Sequence, residues 1–137
     1  MTQDRSAATP CRLIGDGSLV AADPTPGMSR RRAEHGAGMW TGTVDTEPGA
    51  VTGWHHHGEH ETTLYIVSGT FRLESGPGGA EVIEAGPGDF VRVPAGAVHR
   101  ESNPGDQPSR AVIVRCGSGA PTVNVDGPAD PDQPPGA

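Results

Sequence analysis

Short runs of β-branched and aromatic residues, separated by turns, cover most of this chain. The runs lie at residues 39–44, 64–67, 70–73, 81–83, 90–93 and 111–114. Glycine or proline stands in most of the intervening segments, as in EPGA at 47–50, SGPGG at 75–79 and AGPGD at 85–89. Strands this short at such regular spacing predict an all-β sandwich or barrel.

The two ends differ from this central part. Residues 1–10 are polar and have no period, and residues 127–137 are rich in proline and aspartate, so both are predicted to be flexible or disordered tails. A last short strand is predicted at residues 122–125. The chain has 137 residues and no internal repeat, which predicts a single barrel domain at residues 11–126.

The charge pattern excludes several classes of partner. Lys and Arg number 10 against 17 Asp and Glu, a net charge of −7, and phosphate backbones need a positive surface. The one basic run, at residues 30–32, is interpreted as a solvated turn or as the anion-binding edge of a pocket. No apolar run approaches the roughly 20 residues of a membrane span, and the first residues lack the apolar core of a secretory signal. We therefore expect a cytoplasmic protein with neither nucleic acid nor membrane as partner.

Four of the six histidines cluster in one short segment, with two glutamates among them: His55, His56, His57, Glu59, His60 and Glu61. Residues i and i+2 of a β-strand face the same side, so His55 and His57 are predicted to point together and His56 away from them. Two imidazoles converging from one strand are typical of half a transition-metal site. The alternative is a polar surface loop with incidental histidines.

The second half of such a site follows further along the chain. Residues 88–103 (GDFVRVPAGAVHRESN) contain the pattern G-x5-P-x-G-x2-H-x3-N, in which the histidine is His99 and the asparagine Asn103. The earlier segment from Gly49 through His55 and His57 to Glu61 matches the start of a second pattern, G-x5-H-x-H-x3,4-E-x6-G. These are the two motifs of the cupin family in their usual order, and the chain resembles a small single-domain cupin.

The resemblance implies a double-stranded β-helix, or jelly-roll barrel, that holds one metal ion inside. Carried over residue by residue, the metal ligands are His55, His57, Glu61 and His99. Imidazole and carboxylate ligands suit a divalent ion of Fe, Mn, Ni, Co, Cu or Zn. Small cupins are usually dimers, so we expect a homodimer in which residues 12–45 help to pair the two barrels.

One spacing departs from the family pattern and leaves the carboxylate ligand open. Seven residues, rather than six, separate Glu61 from Gly69, and counting back from Gly69 by the family spacing reaches Thr62. A β-bulge between Glu61 and Tyr65 would absorb the extra residue and keep Glu61 facing inward. Alternatively His60, which has the same strand parity as Thr62, is the fourth ligand.

The function implied is a broad class. Cupins include dioxygenases, isomerases, decarboxylases and lyases, as well as proteins that only bind ligands. We expect a metal-dependent enzyme acting on a small organic substrate in the barrel; the alternative is a non-catalytic metal-containing binding or sensor protein. Arg72 and Arg92 lie in predicted strands, where a charge faces solvent or, if it points into the barrel, binds a substrate carboxylate or phosphate.

Overall fold

The computed structural model describes residues 5–119 and 122–129 of the chain. Eleven strands occur within these residues, joined by turns and short 3₁₀ segments. Their bounds are β1 (Val20–Thr25), β2 (Met28–Gly36), β3 (Met39–Thr46), β4 (His55–His56), β5 (Glu61–Ser68), β6 (Phe71–Ser75), β7 (Glu81–Ala85), β8 (Phe90–Val93), β9 (His99–Ser102), β10 (Ser109–Cys116) and β11 (Val123–Asn124). The prediction of an all-β fold is confirmed.

The strands form two antiparallel sheets. One has the order β1-β2-β3-β10-β5-β8, and the other has the order β11-β4-β9-β6-β7. Strands far apart in sequence therefore become neighbours, as when β10 pairs with both β3 and β5. In the five-stranded sheet β4 likewise pairs with β9, which brings the two halves of the histidine pattern together.

Alternating side chains of both sheets fill the space between them. Along β10, Ser109, Ala111, Ile113 and Arg115 are buried, while most of the intervening residues are exposed. The apolar core consists of Met28, Val44, Leu64, Ile66, Phe71, Leu73, Ala85, Val91, Val93, Ala111 and Ile113. Buried polar residues share the interior with this apolar core.

Strand β2 was not predicted from the sequence, because Arg30, Arg31 and Arg32 interrupt any apolar pattern there. In the structure Arg30 pairs with the buried Val44 of β3, whereas Arg31 pairs with Thr43. The long β2–β3 ladder supplies the backbone hydrogen bonds that keep this charged strand in the sheet.

Parts of the predicted tails are described. Residues 1–4 and 130–137 lie outside the described residues, whereas the backbone N–H of Gly78 donates a hydrogen bond to the Ala129 carbonyl at 2.9 Å. The strand predicted at residues 122–125 is present as β11. Across the described part of the chain, no helix has the length and apolarity needed to cross a membrane.

Asn103 joins the end of β9 to two neighbouring segments. Its side-chain amide donates to the carbonyls of Thr46 at 3.0 Å and Gln107 at 2.8 Å, and its side-chain oxygen accepts from the Gly105 N–H at 2.9 Å. The residue has no exposed surface. The amide therefore satisfies backbone groups that water cannot reach.

We expect Asn103→Ala to lower the free energy of unfolding by about 2–4 kcal/mol, because it leaves buried carbonyl groups without a donor. Chemical denaturation of the variant and the wild type measures the loss. Gln107→Ala is the matched control, since Asn103 bonds only the backbone of Gln107, and its effect should stay within about 0.5 kcal/mol. Equal losses in the two variants would contradict this role of Asn103.

Candidate metal centre

His55 and His99 face each other on paired strands. Their Cα positions are direct partners in the β4–β9 ladder, and their ring centroids lie 4.4 Å apart. Both side chains are buried, at 4% and 1% exposure. Directly opposed residues of an antiparallel pair have the closest side chains in a sheet, so this register brings the two imidazoles together.

His57 completes a group of three imidazoles. It lies two residues beyond His55 and is buried, with its ring centroid 5.2 Å from that of His55 and 5.0 Å from that of His99. The intervening His56 points elsewhere, and its Nδ1 accepts a hydrogen bond from the Gly58 N–H at 3.0 Å. The alternation predicted for this segment is present.

Glu101 supplies a carboxylate to the group. It follows His99 by two residues on β9 and is buried beside the same imidazoles. Its Oε1 lies 3.1 Å from Nε2 of His99 and 3.8 Å from Nε2 of His55. One ligand atom from each of His55, His57, His99 and Glu101 lies within 4.8 Å of the others.

Backbone carbonyls orient two of the three imidazoles. Nδ1 of His55 donates to the Gly53 carbonyl at 3.0 Å, and Nδ1 of His99 donates to the Ala97 carbonyl at 2.9 Å. Each bond requires a proton on Nδ1, which directs Nε2 toward the centre of the group. The buried Nε2 of His55 has no hydrogen-bond partner. With the proton on Nδ1, this nitrogen carries a lone pair that a cation could accept.

The same surroundings set the ionisation of the site. Burial raises the pKa of the Glu101 carboxyl, but the hydrogen bond from His99 and the charges of His99, His55 and Arg30 outweigh it and lower the pKa from 4.5 to about 2. Burial lowers the pKa of His55 below 6.5, and the attraction of Glu101 does not fully compensate. At neutral pH Glu101 is therefore a carboxylate and His55 a neutral imidazole, which are the metal-binding forms of both groups.

The structure places a different carboxylate beside the histidines from the one predicted from the sequence. It brings His55, His57 and His99 together, but neither Glu61 nor His60 lies in the group. Glu61 is on the outer face, where its carboxylate accepts from Nη2 of Arg92 at 2.6 Å and its side chain is 44% exposed. Nε2 of His60 lies 3.1 Å from the carbonyl of Gly119.

The register of β5 explains the position of Glu61. The pairing between β5 and β10 is regular from Glu61 to Ile66, and the irregularity comes at Val67, not between Glu61 and Tyr65. Leu64 and Ile66 are buried in the core, so Thr62 faces inward with them and Glu61 faces outward. Turning Glu61 inward would shift the register by one residue and expose both apolar side chains.

Glu101 was missed because the search for a carboxylate followed the family spacing. The signal that would have found it is the i, i+2 rule already applied to His55 and His57. Since β9 begins at His99, Glu101 faces the same side as that histidine.

A cleft and a small inner gap adjoin the centre. A cleft of about 320 Å³ reaches His55 and is lined also by Arg30, Thr52 and Asn124. Inside the barrel, a gap of about 10 Å³ borders His57, Glu101 and Arg115. Arg72 and Arg92, considered from the sequence as anion ligands, form ion pairs on the outer faces with Glu84 and Glu61.

The chemistry of the donors fits a metal ion. Three imidazoles, once free of a proton on the coordinating nitrogen, and one carboxylate suit Mn, Fe, Co, Ni, Cu or Zn, and the carboxylate offsets part of the charge of a dication. The unpartnered Nε2 of His55 and the gap beside His57 and Glu101 lie where such an ion would bind.

Several solved structures share this fold. KdgF from a Halomonas species superposes with a TM-score of 0.66 at 22% identity, covering 80% of this chain and 96% of that one. A protein with a double-stranded β-helix domain from Klebsiella pneumoniae gives a TM-score of 0.68 at 21% identity, with 85% and 98% coverage. Oxalate decarboxylase from Bacillus subtilis gives 0.64 at 22% identity, and the match covers 74% of this chain but only 29% of that longer one. A comparison with curated proteins gives no match.

A family model agrees with these structures. The model described as "Cupin domain" matches residues 42–115, which are more than half of the chain. The matched range contains the three histidines, Glu101 and the strands that position them. The jelly-roll fold predicted from the two motifs is confirmed, and the chain belongs to the cupin family.

Proposed function

We propose that this cupin is a metal-dependent enzyme acting on a small organic substrate, with its metal held by His55, His57, His99 and Glu101. The observation that carries the proposal is the convergence of four buried donor atoms beside a cleft that opens on His55. A metal bound by these residues supplies a Lewis acid that polarises a substrate oxygen. Oxygenation, isomerisation, lyase chemistry and decarboxylation are the reaction classes within this proposal.

The residues of the chain have separate tasks in such a site. The carbonyls of Gly53 and Ala97 hold the rings of His55 and His99 in one tautomer. Glu101 provides the negative charge beside the three imidazoles, and burial keeps bulk water away from it. Thr52 holds this carboxylate-bearing strand from the side, because its Oγ1 accepts from the Glu101 N–H at 3.0 Å. The substrate binds in the cleft at His55.

Metal titration can test whether Glu101 or Glu61 is the carboxylate ligand. The wild type should bind close to one equivalent of Mn(II) or another divalent transition ion per chain, and Glu101→Gln should weaken binding by at least about 10–100-fold, the cost typical of lost supporting residues. Mn(II) is a reasonable first ion because the Bacillus subtilis oxalate decarboxylase has Mn(II) centres. Metal titration of protein purified without a histidine tag gives the affinities.

Glu61→Gln and His60→Ala are the matched controls for that titration. Both residues are in the same histidine-rich segment but outside the buried group, so both variants should keep the affinity of the wild type. If Glu61→Gln loses the metal and Glu101→Gln keeps it, the carboxylate ligand is Glu61. A wild type that takes up no ion would contradict the metal proposal altogether.

A second candidate is a non-catalytic metal-containing binding or sensor protein. The nearly filled interior favours it, since the gap beside His57 and Glu101 measures only about 10 Å³, roughly one water molecule. The two candidates differ in whether solvent reaches the metal. For the enzyme we expect Mn(II)-loaded protein to show fast exchange of bound water in proton relaxation, because the cleft at His55 leads to the metal. Relaxation no faster than that of the metal-free protein would favour the closed, non-catalytic site.

We also propose that the protein is a homodimer paired through residues 12–45. Strand β1 is at the edge of the six-stranded sheet, and Leu13, just before it, is 94% exposed. An unpaired edge next to exposed apolar residues is a common place for sheet–sheet pairing. Light scattering should give twice the chain mass at micromolar concentration, and Leu13→Asp should shift the mass toward one chain. A single-chain mass for the wild type contradicts the proposal.

A further inference from the structure

Two guanidinium groups lie inside the barrel, facing the metal centre from the opposite sheet. Arg30 is on β2 and Arg115 on β10, and the inner gap beside His57 and Glu101 is bordered by both. The Arg30 side chain is only 10% exposed, and Arg115 as a residue is 4% exposed. Arginines buried to this extent are rare unless something pairs with them.

The arginines on the outer faces have ordinary carboxylate partners. The pairs are Arg72 with Glu84, Arg92 with Glu61, Arg100 with Glu74 and Arg110 with Asp45. The two inner arginines have no comparable contact. Nη2 of Arg30 lies 3.9 Å from Oε2 of Glu101, beyond hydrogen-bond distance. Among the described residues no carboxylate lies within 4.0 Å of Arg115. Its Nε donates to Thr62 Oγ1 at 3.2 Å, and its guanidinium lies over the Trp40 ring, 5.5 Å from the ring centroid.

Arg30 is nevertheless held in a defined position. Its Nη1 donates to the Asp23 carbonyl at 3.0 Å and to Oγ1 of Thr25 at 2.8 Å. Both of these residues line the cleft that opens on His55, as does Arg30 itself. The guanidinium is therefore oriented by neutral groups at the mouth of the cleft, and its charge faces the space where a ligand of the metal would enter.

Positive and negative side-chain charges near the centre are equal in number only when no metal ion is bound. The carboxylates of Glu101 and of Asp23, at the exposed rim, offset the two guanidinium groups. Once a dication binds, the carboxylate of Glu101 is engaged by the ion and the surplus positive charge remains without a protein partner. Buried charge is unfavourable until it is paired, so an anion that enters the cleft gains both the metal and the arginines.

These observations give the class of the substrate, on the basis of the metal site proposed above. We infer that the substrate is a small carboxylic acid, whose carboxylate binds Arg30 in the cleft beside His55, with Arg115 adding positive charge from behind. A guanidinium matches a carboxylate with two parallel N–H donors, whereas an uncharged substrate would leave both arginines without an anion at hydrogen-bond distance.

The test uses the straight-chain dicarboxylates from oxalate to glutarate as probes, each compared with its uncharged diamide. Calorimetric titration of the Mn(II)-loaded wild type should show at least one dicarboxylate binding more tightly than its diamide. Arg30→Gln should lower the affinity for that dicarboxylate by about 10–100-fold and leave the affinity for its diamide unchanged. The reason is that the substitution removes only charge-assisted hydrogen bonds. The dicarboxylate affinity of Arg30→Lys should lie between those of the wild type and Arg30→Gln.

Arg31→Gln is the matched control. It is the next residue on β2, but it faces outward and its Nη1 pairs with Asp16 at 3.1 Å, so its dicarboxylate affinity should equal that of the wild type. Arg115→Met provides a second variant in case Arg30→Gln does not fold. It should weaken the same dicarboxylate by about tenfold and keep or raise the unfolding temperature, since it removes a buried cation that no carboxylate pairs.

Failure of this inference is distinguishable from failure of the metal proposal. If the wild type takes up no metal, the same titrations on the metal-free protein still decide: binding that depends on Arg30 supports a carboxylate site, and no binding overturns it. If the metal binds but all dicarboxylates bind equally to wild type and Arg30→Gln, or no more tightly than their diamides, the carboxylic-acid class is wrong.

Discussion

The direct pairing of His55 with His99 across β4 and β9 is the constraint on which the site depends. β4 has only two residues, so its short ladders with β9 and β11 are supplemented by contacts of the residues before it. Thr52 just before it bonds β9 twice, through its N–H to the Glu101 carbonyl at 2.8 Å and through its hydroxyl to the Glu101 N–H. With the strand held in this way, the histidine rings meet and the backbone carbonyls behind them select the tautomer.

The centre adds a demanding requirement to the packing of the barrel. Three imidazoles, a carboxylate and two guanidinium groups occupy space that apolar side chains would otherwise fill. The fold meets this requirement by dividing the interior, with Leu64, Ile66 and Phe71 forming an apolar core beside the polar group. Apolar and polar groups thus lie side by side. The Nε2 of His55 has no hydrogen-bond partner, and the two guanidinium groups border the small gap beside His57 and Glu101. A buried polar atom without a partner beside charged groups is typical of a site whose ligand arrives from solution.

The position of Glu61 shows how two local rules compete. The motif spacing assigns Glu61 to the metal, whereas the strand alternation assigns it to the outside, because Leu64 and Ile66 on the same strand must be buried. Burial of two large apolar side chains outweighs the placement of one carboxylate, since each is worth roughly 1.5–3 kcal/mol. Arg92 on the neighbouring strand then provides an outer partner for Glu61. Glu101 occupies the site with no conflict of this kind, because its strand presents it beside His99.

The sequence by itself determined the fold class and three of the four members of the buried donor group. The spaced apolar runs specify strands, and the two motifs identify the family and place His55, His57 and His99 on inward-facing positions, since alternation along a strand is a local property. The tertiary structure decided the rest. Which carboxylate joins the histidines depends on the register between β5 and β10. The position of Arg30 beside the buried group depends on β2 lying in the sheet opposite β9. Both are relations between strands distant in sequence, and no local pattern carries them because they follow from how the whole core packs.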